Sequence, residues 1–353
     1  MLLCHTQDCW RLLDEGWRLK PPALLLSITG AAKNFHLEPW MRNLFRTGLA
    51  KAAGCSNAWV ITGGTKSGVM QLAGEALGER STHTDSRPPL IGIAPWGWIN
   101  ESHREQLMIH GGDVATLDPS PDSKEEHMLD PNHTHFMLVD DGGKTVGGEI
   151  QLRNALEQHC CRHYAIPLVT IVLQGGIGTF KTVVGALQND CQAIFLADSG
   201  GCAGIVAQFI EPLLKEKPED VVIEAGMRIA KVDERLKEFA MTLSNVIKQI
   251  EGMSLPVATD WLREIGMHLE RINIYYFGHN YQLRAGNQSA KRPLDQVILD
   301  AYTQSFRLKT ERTEQDQASV RKVTKLDDQT VGHVKARKNH PRYAARGSRF
   351  SDV

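Results

Sequence analysis

One pattern constrains this 353-residue chain more than any other. Short apolar runs end in glycine-bearing turns, and each turn is followed by a stretch with helical periodicity. Leu24 to Ile28 is apolar and bounded by Pro21-Pro22 before it and Thr29-Gly30 after it. Continuous apolar runs of that length suit parallel strands covered on both faces. Trp59 to Thr62 then Gly63-Gly64, Leu90 to Ala94, Phe136 to Val139, Leu168 to Leu173 then Gly175-Gly176-Ile177-Gly178-Thr179, and Ala193 to Leu196 then Asp198-Ser199-Gly200-Gly201 repeat the theme. Strand, glycine turn and helix in alternation predict an α/β, doubly wound and mostly parallel sheet.

The helices between the strands follow the same logic. Pro39 sits where a first helical turn begins, a position that lacks a hydrogen-bond duty for its missing N–H. Met41, Leu44, Phe45 and Leu49 share one face of the helix that runs to about Gly54. Helical spacing returns from Glu149 to His163. Residues 101–130, polar and punctuated by Gly111-Gly112, Pro119 and Pro121, read as a long loop. Past about residue 215 helical periodicity dominates to Arg271, with Ile272 to Phe277 as a last strand. The expected organisation is a Rossmann-like domain over 1–215, a helical extension over 216–308 packing on it, and a polar, disordered tail over 309–353.

Composition excludes several functions. Net charge is -1, so the chain as a whole offers no electrostatic case for nucleic acid or an anionic membrane. Seven cysteines with no CxxC pair favour reduced, cytosolic thiols over a disulfide or zinc scaffold. Asp8, Arg11, Asp14 and Glu15 interrupt the N-terminus too early for a signal peptide, and no apolar run reaches transmembrane length. A cytoplasmic location is expected, without cofactor or metal. His159-Cys160-Cys161-Arg162-His163 resembles a metal cluster, but the two cysteines point away from the face that the histidines share.

In a parallel sheet, ligands bind outside the carboxyl ends of the strands. Glycine lets the backbone approach a phosphate, and a helix N-terminus supplies free N–H groups and partial positive charge. The candidate binding positions are Thr29, Gly30 and Ala31, then Thr62, Gly63 and Gly64, then Gly175, Gly176, Gly178 and Thr179, and finally Ser199 and Gly200. A phosphate-bearing ligand is expected there, with Arg153 as its cation. Gly63-Gly64-Thr65-Lys66-Ser67-Gly68 lacks the P-loop spacing, and no strand leads into GxGxxG, so neither ATP-type nor NAD-type motifs apply.

At this point Pro21 to Phe35, Ala58 to Met70, Ile93-Ala94-Pro95-Trp96-Gly97, Asn132 to Gly142, Glu149-Ile150-Gln151-Leu152-Arg153 and Gly175 to Thr179 taken together resemble the cytosolic N-terminal region of melastatin-type transient receptor potential (TRPM) channels. The resemblance covers about residues 10–215. It implies a SLOG-type domain that senses a nucleotide such as ADP-ribose and helps to gate a cation channel, calcium among its ions. It adds Lys33 and Asn34 to the ligand-facing set Thr29, Gly30, Ala31, Arg153, Gly175, Gly176, Gly178 and Thr179, and implies channel subunits as partners. Two positions depart from the members that bind ADP-ribose: Val146 stands where they have Tyr, and Gly201 where they have Arg. An aromatic stacking partner and a phosphate cation, each worth about 1–3 kcal/mol, are thereby missing.

The same superfamily resembles LOG enzymes, which cleave nucleoside monophosphates at the N-glycosidic bond. Their Gly-Gly-x-Gly-Thr-x-x-Glu motif ends here in Thr182 instead of the glutamate. Threonine cannot stabilise an oxocarbenium ion or activate water as a carboxylate does. Asp140, Asp141, Glu149 and Asp198 are the remaining candidates for that role. A ligand-free module that only assembles with channel subunits is the third reading.

Overall fold

The computed structural model describes residues 6–78, 87–110, 117, 127–140, 142, 147–215, 225–279, 281–284 and 288–308. The chain divides into two compact units, Met1–Ser305 and Phe306–Val353, and the sheet and its helices belong to the first.

The chain order is α1 (Thr6–Arg11), β1 (Leu24–Gly30), α2 (Pro39–Cys55), β2 (Ala58–Thr62), α3 (Gly68–Gly78), β3 (Leu90–Pro95), α4 (Glu101–His110), β4 (His135–Val139), α5 (Ile150–His163), β5 (Leu168–Leu173), α6 (Ile177–Gln188), β6 (Gln192–Leu196) and α7 (Gly201–Leu214). It continues with α8 (Ala225–Val246), α9 (Leu255–Gly266), β7 (Ile272–Tyr276), β8 (Tyr281–Arg284), β9 (Gln288–Lys291) and a helix, α10, from residue 294. Nine strands form one sheet in the order β4-β3-β2-β1-β5-β6-β7-β8-β9. The pairs from β4 through β7 are parallel, and β8 and β9 add two antiparallel edge strands. This is the expected α/β, doubly wound architecture.

Apolar residues cover both faces, which is why the central strands read as unbroken apolar runs. On one face Leu24, Leu26 and Ile28 of β1 pack with Phe45 and Leu49 of α2, Leu72 of α3 and Val297 and Ile298 of α10. On the other, Leu25 of β1 meets Cys9 and Leu13 of the N-terminal segment and Leu156 of α5. Farther along that face Val172 and Phe195 meet Phe180 of α6, Phe209 of α7, Leu236 of α8 and Leu262 of α9.

Two stretches differ from the sequence reading. Residues 101–110, read as loop, form α4. Its polar sequence hides it, but Asn100 Oδ1 accepts the N–H of Ser102 (3.0 Å), and Glu101 sits in the first turn, where a negative charge suits the helix dipole. Beyond β7, which is the last strand expected at Ile272 to Phe277, the chain also supplies β8 and β9 to the common sheet, where no strand was expected. β8 and β9 are four-residue edge strands of mostly polar sequence, too short and polar for an apolar run to reveal them. The tail from residue 309, Asp141 and Val146 lie outside the described residues. Among the described residues no helix is long and apolar enough to cross a membrane.

Candidate ligand crevice at the sheet switch point

Strand order runs outward from β1 in one direction through β2, β3 and β4, and in the other through β5, β6 and β7. The direction of winding therefore reverses between β1 and β5, where such sheets open a crevice beyond their carboxyl ends. Gly30, the last residue of β1, stands opposite Leu173, the last of β5. The predicted turns after β1 and β5 are thus brought side by side at the switch point. Gly30 has φ 156°, and a Cβ there would overlap the Leu173 carbonyl oxygen, so the close approach requires glycine. Thr179, in the first turn of α6, ties the two turns by donating its hydroxyl to Gly30 O (3.0 Å).

Four glycine turns reach this edge, and the structure separates them by what their helix N-termini already hold. In the turn after β1, Ala31 O accepts the N–H of Val69 (2.9 Å) and Asn34 Oδ1 accepts the N–H of Gly68 (2.9 Å), so the α3 N-terminus is closed by protein. Gly68 has φ 54°, and a Cβ on it would overlap Ala31 O, which fixes glycine at that junction. In the turn after β5, Gly175 O and Gln174 O accept the N–H groups of Cys202 (2.8 Å) and Ala203 (3.1 Å), so the start of α7 is occupied as well. Ser199 braces the same corner: its hydroxyl donates to Leu196 O (2.6 Å) and accepts the N–H of Gln174 (2.8 Å). The start of α6 differs. Its N-cap, Gly176, offers no side chain to the helix, and Ile177 and Gly178 are partly or fully exposed. Donors of the first helical turn without a cap are the groups that an anion can take.

Thr62, Gly63 and Gly64 serve another purpose. Thr62 Oγ1 accepts the N–H of Gly64 (2.9 Å) and lies 2.6 Å from His133 Nε2. His133 Nδ1 lies 2.7 Å from Asp130 Oδ2, so the three side chains form one buried hydrogen-bonded chain. The order Thr-His-Asp resembles a nucleophile relay, but Thr62 is wholly buried and Asp130 is 1% exposed, so no substrate reaches it. The relay clamps the segment 127–133 to the end of β2.

Arg153 occupies an unexpected place. It is 6% exposed and spans the underside of β1 and β2. Nε donates to Glu157 (2.9 Å), and one terminal nitrogen donates to Ser27 Oγ (2.7 Å), Ile28 O (3.0 Å) and Ile61 O (3.1 Å). Ser27 Oγ in turn donates to Glu157 (2.7 Å). This is a buried polar network joining α5 to two strands just beneath their carboxyl ends, so these donors are already committed within the protein.

Two residues outside the predicted set border the crevice. Ile250 lies 3.5 Å from where a Cβ on Gly176 would stand, and Glu251 pairs with Lys33 at 3.5 Å across the mouth, both side chains being exposed. They come from the connection between α8 and α9, and no local motif in that connection marks it. The histidines of the metal-like run, and two further aromatic pairs, lie elsewhere. Trp98 packs edge-on against His127 at 4.9 Å, His135 lies against Trp17 at 4.7 Å, and His159 and His163 flank Trp10 at 5.5 and 4.4 Å. Among the described residues no group of three His, Cys, Asp or Glu side chains is placed to hold a metal ion.

Of the candidate carboxylates for glycosidic cleavage, Asp141 lies outside the described residues, Glu149 has its Oε2 buried, and Asp140 and Asp198 accept backbone N–H groups. Asp140 Oδ1 accepts the N–H of Gly142 (2.9 Å), and Asp198 Oδ2 accepts that of Gly278 (3.2 Å). Thr182, at the position of the enzymes' glutamate, is 3% exposed and turns its hydroxyl back to Gly178 O (3.0 Å).

Comparison with known proteins agrees with the fold. The chain is 37% identical over 214 residues to rat transient receptor potential cation channel subfamily M member 2, covering 56% of this chain and 14% of that protein. It is 38% identical over 212 residues to subfamily M member-like 2 of Nematostella vectensis, covering 55% and 14%, and 31% identical over 224 residues to Drosophila melanogaster trpm, covering 61% and 11%. The matched stretch is thus about a seventh or less of these relatives' own lengths. Residues 4–250 match the family LSDAT_euk, described as SLOG in TRPM, and the chain belongs to that family.

Proposed function

We propose that this domain is a ligand-sensing module of a TRPM-type cation channel, which binds a phosphate-bearing nucleotide such as ADP-ribose at the switch-point crevice and couples binding to channel gating. One observation carries the reading. Of the glycine turns that converge on the carboxyl edge, those leading into α3 and α7 have first-turn N–H groups taken by protein, whereas α6 starts without a cap. A diphosphate at the α6 start would lie between Gly30-Ala31 and Gly175-Gly176, within the domain's best-braced corner. Lys33, now paired with exposed Glu251, is the cation at the mouth. The site is proposed as non-catalytic, because Thr182 supplies no carboxylate and its hydroxyl is committed to the backbone. Gating requires that the ligand prefer one of two domain states, and the connection at 250–252, resting on the start of α6, is the element whose position a ligand there would bias.

The test is Gly178→Asp. Gly178 is exposed, and a Cβ on it meets only Ile150 Cδ1 at 3.6 Å, so an aspartate fits. An acid in a first helical turn favours the helix, while its charge repels a phosphate at the same N–H groups. Calorimetric titration with ADP-ribose should give saturable binding to the wild type, at least tenfold weaker binding to Gly178→Asp at unchanged or raised melting temperature (about 1.4 kcal/mol or more), and unchanged ligand on recovery. Equal affinity in the two proteins refutes the site. Ribose phosphate in the recovered ligand refutes the non-catalytic reading.

A further inference from the structure

A second concavity lies on the flank where α5, α6 and α9 meet, and it reaches Gly147 and Gly148 just before α5. It measures about 450 Å³, and its lining includes Ile150, Gln151 and Asn154 of α5, Lys181 and Val184 of α6, and Trp261 of α9. Helical spacing explains the grouping. Lys181, Val184, Gly185 and Gln188 share the outer stripe of α6, opposite the Phe180 and Val183 stripe that enters the core. Gly185 leaves room beside Asn154, since a Cβ there would overlap the Asn154 amide nitrogen.

Three features make this groove a recognition surface. Asn154 Oδ1 is buried and accepts no hydrogen bond, an arrangement that costs free energy until a donor arrives. Lys181 is in no ion pair among the described residues, although it lines the same space. Trp261 stacks one face on Phe180 (centroids 5.5 Å apart, planes 19°) and contributes the rest of its half-buried ring to the groove beside Ile150 and Val184. A rigid indole held from behind is a stacking platform of low entropic cost. One end of the groove is fixed, because Gln188 is held to Glu264 (3.0 Å) across α6 and α9.

We infer that this groove binds a small aromatic acid: a planar ring against Trp261, an N–H or O–H donor to Asn154 Oδ1, and one acidic group to Lys181. The groove adjoins the switch-point crevice through Ile150, which also lies beside Gly178, but Trp261 and Lys181 are not crevice residues, so the inference stands whether or not a nucleotide binds there. Because α6 lines the groove and also begins at the crevice, a ligand in the groove bears on the helix whose start is the proposed phosphate site.

Anilinonaphthalene sulfonate carries a fused ring, an N–H donor and one acidic group, and serves as the probe. Its titration into the whole chain, followed by energy transfer from tryptophan and by calorimetry, should show one saturable site. Lys181→Gln and Asn154→Ala should each weaken binding about tenfold, Trp261→Phe should lower the energy transfer at saturation with the circular dichroism spectrum retained, and Lys33→Ala should change nothing. Binding that is unchanged in Lys181→Gln, spread over several weak sites, or absent overturns the proposal. Loss in Lys33→Ala with retention in Lys181→Gln also overturns it, by placing the dye in the crevice. A null result with ADP-ribose in the Gly178→Asp comparison, alongside intact dye binding, separates failure of the nucleotide reading from failure of the groove.

Discussion

Arg153 is where the structure changes the chemistry expected of a residue, and its removal tests that change. Truncation to alanine leaves Glu157, 1% exposed, with the Ser27 hydroxyl still donating to it and strips a donor from Ile28 O and Ile61 O. Breaking a buried pair by deleting one member costs about 3–5 kcal/mol, because the remaining charge cannot return to water. At roughly 2–4 °C per kcal/mol for domains of this size, the melting temperature should fall by on the order of 10 °C. The double variant Arg153→Met with Glu157→Leu removes both charges at similar volume and should restore most of the loss. Urea unfolding of the wild type, Arg153→Met, Glu157→Leu and the double variant, analysed as a double-mutant cycle, supplies the numbers. The double variant should also retain ADP-ribose binding within about threefold, since the four bonds that Arg153 makes are all internal (a threefold change is about 0.7 kcal/mol). If Arg153→Ala keeps its stability within about 1 kcal/mol while ADP-ribose binding disappears, the guanidinium is a ligand group and the network described here is not its role.

Further consequences follow from single contacts. Gly68→Ala forces φ 54° on a residue with a Cβ and drives it into Ala31 O, so stability should fall by about 1–3 kcal/mol on urea unfolding. Ser199→Ala leaves the N–H of Gln174 without its acceptor, a loss of about 1–3 kcal/mol, and should raise amide exchange at Gln174 more than elsewhere. Burial lowers the pKa of His103, whose Nδ1 accepts the N–H of Leu129 at 3.3 Å. A histidine depressed in the folded state contributes stability above its unfolded value near 6.5, and that contribution shrinks as pH falls below it. Melting temperature should therefore drop between pH 7.5 and 5.5, and His103→Gln should flatten that part of the slope. Burial pushes the Cys160 thiol up to about 12, so at pH 8 a thiol reagent should modify the exposed Cys55 well before Cys160.

The sheet was legible because its signals are local. Leu24 to Ile28 or Leu168 to Leu173 can be nothing but buried strands when Pro or Gly bounds them, and the glycines after them announce where helices begin. α4 was not legible, since its cap Asn100 is one polar residue among many. β8 and β9 were not legible either: with four residues each at a sheet edge, they take their structure from β7 and not from any pattern of their own. Arg153 failed differently. Its spacing places it early in α5 and by itself favours a surface arginine, whereas the side chain is buried and engaged by Glu157 and Ser27. Burial and partner are tertiary facts. The same holds for Ile250 and Glu251, which reach the crevice from more than seventy residues beyond Gly176.

Four glycine turns at one edge invite the reading that all four bind ligand, and hydrogen-bond bookkeeping argues against it. Each helix brings first-turn N–H groups that need acceptors. The turn after β1 gives its acceptors to α3, and the turn after β5 gives its own to α7. These two exchanges knit β1, β5 and their neighbours into a rigid corner, and they place the uncapped start of α6 between them. A ligand that completes α6 would find its surroundings already fixed, so little ordering would oppose binding. The domain thus uses most of its glycine turns as structure, and the start of α6 is the one left for the proposed site. That division explains how Gly201 can depart from the resembled pattern without disturbing the fold. Gly201 belongs to an α7 start already satisfied by the β5 turn, where a cation would add charge beside the site but no bond that the corner lacks.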